Sequence, residues 1–331
     1  MLRFLSRVFL LAVLLALGAA GAAFWWVQKP MPMAAPLVEL SIQPGTLPRG
    51  VAQAVADAGV QVHPDLLYAW FRLSGQARQI KAGNYELPAG LTPRQLLSKL
   101  ARGEEAQRVV TLVEGWTFRQ FRAALAKAEE LKPDTQGLSD EEVMKLIGLP
   151  GVHPEGQFFP DTYAYSKGSS DLGVLRRALR AMERQLTGAW KQRAPQSAAK
   201  TPYEALILAS IVEKETGRGA DRPLVSAVFN NRLRIGMPLQ TDPTVIYGLG
   251  ESFNGNLRKA DLQADTPWNT YTRNGLPPTP IAMPGGASLL AALRPADSKA
   301  LYFVARGDGS SQFSETLDQH NRAVNKYQRG Q

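Results

Sequence analysis

The chain has 331 residues, no cysteine, 44% hydrophobic residues and a formal net charge of +9 at pH 7. Without cysteine there are no disulfides, no thiol nucleophile and no lipid-modified N-terminal cysteine. His63, His153 and His320 are far apart and form no H-E-x-x-H pattern, so neither a metal nor any other cofactor is expected. The length is enough for two domains after an anchor, and the basic balance favours nucleic acid, anionic lipid or an anionic cell-wall polymer.

Residues 8–27 form an uncharged run, preceded by Arg3 and Arg7 and followed by Lys29. The run is long enough to span a bilayer, and Trp25-Trp26 at its end suits the membrane interface. The two arginines place residues 1–7 in the cytoplasm and everything after Lys29 on the far side. A cleaved signal peptide is the rival reading, because residues 18–23 are small; the length of the run favours a retained anchor. Export in either case counts against nucleic acid as a partner. Residues 28–37 read as a linker. Residues 38–42 read as a strand ending at Pro44-Gly45, residues 47–58 and 64–73 as helices, and 83–87 as a short strand. This βααβ order makes a compact unit, followed by a helix over 92–101. The strand, glycine turn and helix that start at Leu40 recur in outline from Val110, a weak internal echo.

A helix is expected over 140–147, and a long basic helix with a solvated face over 172–193. Between them lies Glu155-Gly-Gln-Phe-Phe-Pro-Asp-Thr-Tyr163. It reads either as a structural loop or as one wall of a carbohydrate cleft, where aromatic rings stack on sugars. The stretch 203–216 reads as a helix buried on all faces, started by a Thr201/Glu204 capping box with Pro202 in its first turn and ended by Gly217. Glu213 interrupts its apolar interior. It shares a face with Ala209 and Leu206, while Glu215 points roughly 200° away around the helix. A carboxyl among apolar side chains should have a raised pKa, which suits a general acid; the competing reading pairs Glu213 with an arginine as a structural element. Residues 222–234 read as a second amphipathic helix packed on the first. The stretch 239–248, polar and then apolar, is rich in hydrogen-bonding side chains and carries Gln240, Thr241, Asp242 and Tyr247; the loop 268–271 carries Asn269 and Tyr271. Asp242-Pro243 suits a turn. A hairpin around 306–310 and a helix over about 315–327 close the chain.

No G-x-S-x-G elbow or phosphate-cradling loop is present. Carboxylate chemistry on sugars remains. An ordinary glycosidase needs two carboxyls at a set separation, with Asp242 or Glu155 available through space. In lytic transglycosylation the substrate's own C6 hydroxyl attacks the anomeric carbon, and one glutamate serves as acid and then base.

The segments Leu208-Ala-Ser-Ile-Val-Glu-Lys-Glu-Thr216, Val228-Phe-Asn-Asn-Arg-Leu233, Leu239-Gln-Thr-Asp-Pro-Thr-Val-Ile-Tyr-Gly248, Asn269-Thr-Tyr271, Gly275-Leu-Pro-Pro278, Phe159-Pro-Asp-Thr-Tyr163 and His320-Asn321 closely resemble the endolytic murein transglycosylases, the MltG/YceG-like family. The resemblance implies an α+β fold: a transmembrane helix (8–27), a LysM-like βααβ subdomain (38–106), then a mixed helix/antiparallel-sheet catalytic domain (107–331). It implies cleavage within nascent peptidoglycan glycan strands to give 1,6-anhydro-N-acetylmuramic acid ends, with Glu213 as the acid/base. Gln240, Thr241, Asp242, Tyr247, Asn269, Tyr271 and Glu155 are the expected substrate-binding residues. The expected setting is the bacterial inner membrane, with a single pass, a cytoplasmic N-terminus and a periplasmic catalytic domain. Peptidoglycan synthases (penicillin-binding proteins) are the expected protein partners. A non-enzymatic, membrane-anchored peptidoglycan-binding protein is the alternative, and a water-using glycosidase differs from the transglycosylase only in its product.

Overall fold

The computed structural model describes residues 2–330, with side chains from residue 9 onward. Met1 and the side chains of Arg3 and Arg7, on which the expected cytoplasmic stretch 1–7 rests, lie outside what is described. The chain divides into two compact units, Met1–Arg108 and Val109–Gln331.

The first unit opens with helix α1 (Leu2–Gln28), of which Phe9–Gln28 has a mean hydropathy of 2.1 and is long and apolar enough to cross a membrane. Its end is built into the unit. Val27 and Met31 are buried, and Trp26 packs on the core. The stretch that follows is tied by backbone bonds: Met31 N–H to Leu91 O at 2.9 Å, Ala34 N–H to Gly59 O at 2.9 Å and Gln61 N–H to Pro32 O at 2.8 Å. Strand β1 (Leu37–Ile42) buries Val38, Leu40 and Ile42 and exposes the residues between them, the alternation of a strand with one covered face. Helices α2 (Pro48–Asp57) and α3 (Pro64–Leu73) lead to β2 (Gly83–Pro88), antiparallel to β1 with Leu40 opposite Tyr85. Helix α4 (Pro93–Arg102) starts from a reciprocal Thr92/Gln95 capping box. Val51, Val55, Leu67, Phe71, Leu96, Leu97 and Leu100 complete one core with the buried face of the sheet.

The second unit has two cores. Strand β3 (Gln107–Thr111), helices α5 (Phe118–Lys127) and α6 (Asp140–Ile147), strand β4 (Thr162–Ser166), which pairs with β3, and the first half of helix α7 (Asp171–Lys191) enclose the first. Helix α7 has the solvated face its arginines imply and, opposite it, a buried one. Val174, Leu175, Ala178 and Leu179 lie in the first core, and Met182 and Ala189 in the second. These apolar residues recur at helical spacing on one face, while Arg176, Arg177, Arg180 and Arg184 take the exposed face.

Helix α8 (Pro202–Glu215) is the centre of the second core, with Ala205 to Val212 buried without a break. Its caps differ from expectation. The Thr201 hydroxyl accepts Glu204 N–H at 3.1 Å, but the Glu204 carboxylate reaches back to Lys200 N–H, one residue short of a reciprocal box. The helix ends without help from Gly217: Thr216 is extended, and its hydroxyl donates to Val212 O at 2.6 Å. Helix α9 (Arg222–Arg234) packs on α8. Asp242 starts helix α10 (Asp242–Leu249), with Pro243 in the first turn. After α11 (Lys259–Gln263) and a buried loop through Ile281, Ala282 and Met283 comes α12 (Gly286–Leu293), which lies closely against α8. The antiparallel hairpin β5 (Tyr302–Ala305) and β6 (Ser311–Ser314) is followed by α13 (Leu317–Gln328). The fold is mixed, mainly helical, with small two-stranded sheets.

Candidate active site

The last turn of α8 sends two carboxylates in different directions. Glu213 Oε2 accepts the N–H of Gly285 at 3.0 Å, at the start of α12, and Oε1 lies 3.9 Å from Arg222 Nη2. The Glu114 carboxyl stands over Gly285: a Cβ there would come within 2.0 Å of Glu114 Oε1, so a larger residue would displace that carboxyl. Burial first, then the negative charge of Glu213, raise the pKa of Glu114, partly offset by Arg222. Lys214 Nζ donates to Gly115 O at 3.3 Å. Glu213 therefore meets a backbone N–H, a guanidinium and a second carboxyl rather than the apolar surroundings expected of it. The buried apolar run of α8 stops at Val212, and the next turn emerges against residues 114–115 and 283–285.

Glu215, half-buried, faces the other way, toward Thr241, Asp242 and Arg232. Burial raises its pKa most, and the charge of Asp242 adds to the shift; the Thr241 hydroxyl, which donates to Glu215 Oε1, and the charge of Arg232 oppose it. Glu215 lines a cavity of about 330 Å3 together with Arg232, Gln240, Asp242, Tyr271 and His320, over an apolar floor that includes Phe229, Leu239 and Phe303. The Tyr271 hydroxyl donates to Asp242 Oδ1 at 2.6 Å. Burial, then this bond to a carboxylate, push the tyrosine pKa up. Arg232 is fixed by its own donors, Nε to Leu301 O at 2.7 Å and Nη1 to Leu239 O at 2.6 Å. Gln240 has φ of +48°, in the left-handed region that a residue with a Cβ enters at a cost, and its N–H is tied to Thr270 O at 3.1 Å. Strain of this kind is concentrated where a side chain must be aimed.

The predicted site residues fall into three groups. Gln240, Asp242 and Tyr271 line the cavity, and Thr241 stands behind it, buried against Glu215. Asn269 is fully buried. Its amide donates to Ala264 O at 2.6 Å and Leu262 O at 3.1 Å, and it accepts Tyr271 N–H at 2.9 Å, so it holds the loop that presents Tyr271. Buried Glu155 and half-buried Tyr247 form a separate pair. Glu155 accepts Phe118 N–H at 3.0 Å, at the start of α5, and the Tyr247 hydroxyl. Its burial pushes its pKa to about 8. Sequence reasoning missed Glu215, Arg232 and His320 as cavity residues, and Glu114 and Arg222 as neighbours of Glu213. The signal for Glu215 lay in its 200° offset from Glu213, which aims it at different chain segments. Among the described residues, no three His, Asp or Glu side chains are grouped to hold a metal ion.

A half-buried carboxyl of raised pKa, beside a cavity lined with hydrogen-bonding groups, can serve as a general acid toward an ether oxygen held there. The sequence model of the YceG-like family matches residues 40–326. An endolytic murein transglycosylase of Bacillus subtilis is 34% identical over 268 residues, covering 76% of this chain and 74% of that protein. An endolytic murein transglycosylase of Streptococcus pneumoniae is 28% identical over 321 residues, 87% of this chain and 58% of that longer protein. The crystal structure of a YceG-like protein of Listeria monocytogenes superimposes with a TM-score of 0.56 at 30% identity, covering 86% of this chain and 98% of that one.

Proposed function

Because the chain belongs to the YceG-like family, we propose that it is an endolytic murein transglycosylase, a lyase that cuts within peptidoglycan strands and leaves 1,6-anhydro-N-acetylmuramic acid ends. The activity named for the B. subtilis and S. pneumoniae relatives supports the reaction. The single observation that carries the assignment of the acid is the placing of Glu215, half-buried at the wall of the cavity formed by Gln240, Asp242 and Tyr271, with its pKa raised.

The Glu215 carboxyl gives its proton to the glycosidic oxygen as the bond from the anomeric carbon breaks. The resulting carboxylate takes the proton of the substrate's C6 hydroxyl as that oxygen closes on the anomeric carbon. One proton is given and one taken, no water enters, and Glu215 ends protonated as it began. The Thr241 hydroxyl holds the carboxyl in place, and Asp242, oriented by Tyr271, discourages early loss of the proton. Gln240 and Tyr271 are the groups that hydrogen-bond the acetamido substituents. Glu213 as the acid is the second reading, favoured by its contact with Glu114, which supplies a pair of carboxyls at one point.

Helix α1 acts as a retained single-pass anchor in the bacterial inner membrane, with the N-terminus inside and the rest periplasmic; its hydropathy and the Trp25-Trp26 pair support this. The βααβ order of β1, α2, α3 and β2 supports a LysM-like subdomain over residues 38–106, with the catalytic domain over 107–331. Peptidoglycan synthases fit as partners of an enzyme acting on nascent strands. Mass spectrometry of uncrosslinked glycan strands incubated with the full chain tests the reaction. Anhydro ends are expected. Reducing ends would make water the nucleophile, and intact strands would favour the binding-protein alternative.

A further inference from the structure

Helix α3 carries an apolar stripe that its own unit covers only at Trp70. Leu67 and Phe71 point into the core, while Leu66, Trp70 and Leu73 recur at i, i+4 and i+7 on a neighbouring face. Leu66 is 57% and Leu73 84% exposed. The position of this stripe relative to the anchor is set by a short chain of contacts. Trp70 Nε1–H donates to Pro93 O at 3.2 Å, at the start of α4. Two residues earlier, Leu91 O accepts the N–H of Met31, three residues past the end of α1. Helix α1 itself packs on α4, and Trp26, Trp70 and Leu91 lie on the same core. The end of the apolar helix and the exposed stripe of α3 are thus joined through the first turn of α4, with no free tether between them.

We propose that the Leu66–Trp70–Leu73 face of α3 rests in the boundary between headgroups and acyl chains of the bilayer that α1 crosses, so that the first unit lies on the membrane in one orientation. This rests on the reading of α1 as an anchor. The occupant is lipid because the face is held close to a helix whose other neighbours are lipid. The composition of the junction agrees: Trp25, Trp26 and Trp70 are the side chains of an aromatic belt, and Lys29, over the ring of Trp25 at 4.8 Å, and exposed Arg94, next to Pro93, supply cations at headgroup height. Ser41 stands on the outer face of the β1–β2 sheet, which the helices do not cover.

The chain has no cysteine, so each introduced one is a unique label site. Full-length variants Leu66→Cys, Leu73→Cys, Ser41→Cys and Leu15→Cys carry an environment-sensitive fluorophore in nanodiscs of phosphatidylethanolamine and phosphatidylglycerol, and quenching by nitroxide lipids is compared with quenching by aqueous iodide. Labels at 66 and 73 are expected to be quenched by shallow nitroxides at least about twofold more than the label at 41, and to be shielded from iodide. If Leu15→Cys is quenched by deep nitroxides while 66 and 73 behave like 41, the face is not at the membrane although the anchor is. Labels shielded from both quenchers would mean a protein covers the face, which also overturns the proposal. A label at 15 outside lipid would remove the anchor and this proposal with it. None of these readings depends on catalysis.

Discussion

Burial and the charge of Asp242 raise the Glu215 pKa while Thr241 and Arg232 oppose the shift, and that balance can be altered one side chain at a time. The Thr241 hydroxyl favours the carboxylate, so Thr241→Val should raise the pKa further and move the basic limb of the kcat/KM profile to higher pH. Asp242 favours the protonated form, so Asp242→Asn should move the same limb to lower pH. Shifts of equal sign, or none, in the pH–rate profiles of the two variants would remove Glu215 from the reaction. Glu155 gives a stability effect of its own. Its folded pKa of about 8 lies above the ordinary value of 4.5, so the unfolded chain loses this proton first. The protein is most stable on this account below about pH 4.5 and loses up to ~5 kcal/mol as pH rises to about 8, at about 1.4 kcal/mol per unit. Glu155→Gln should abolish that slope and gain stability over wild type as pH rises; chemical denaturation at pH 5 and pH 8.5 measures it. Both glutamates of the α8 turn are visible in the sequence, as are Gln240, Asp242 and Tyr271. Which glutamate meets them is not, because that depends on how residues 239–242 and 269–271 fold back on the helix end.

Helix α8 owes its place to neighbours on every side, so truncations in it should be costly. Leu208→Ala, at a fully buried position, is expected to lose about 2–5 kcal/mol in denaturant unfolding. Gly156 has φ of +79°, and an added Cβ would come within 2.6 Å of the ring of Pro280. Gly156→Ala should therefore cost more than ~1 kcal/mol, through strain and through the pressure on the 279–283 loop. Elements with a clear period and strong punctuation are legible from the residues alone: α3 at 64–73, α6 at 140–147 and α9 at 222–234 lie where the pattern places them. Helix α12 is not, since Gly-Ala-Ser-Leu-Leu-Ala-Ala-Leu after a proline-rich loop has no polar face to mark a period, and it is α8 that gives it a reason to form. For α7, the count of arginines hides an apolar face that spans two cores.

Across the whole chain, the division of labour follows from where apolar surface is closed off and where it is left open. Three separate cores hold the folded units, while α1 leaves Phe9 to Trp25 outside all of them, a stretch long and apolar enough to cross a bilayer. The order of apolar N-terminal helix, βααβ unit and helical domain is legible in the sequence because each has a different hydrophobic pattern. The cavity is not, because its wall is drawn from α8, α9, the start of α10, the 271 loop, the β5–β6 hairpin and α13, segments up to about a hundred residues apart. Those segments converge on one carboxyl. The most direct measurement is product analysis by mass spectrometry after uncrosslinked glycan strands are incubated with membrane-embedded wild-type protein, Glu215→Gln and Glu213→Gln, each first checked for a native melting transition. Anhydro-ended fragments from wild type, their loss by a factor of at least about 100 in Glu215→Gln, and retained cleavage in Glu213→Gln are expected. Full cleavage by Glu215→Gln, with loss in Glu213→Gln, would contradict the assignment and move the acid to the other side of the helix.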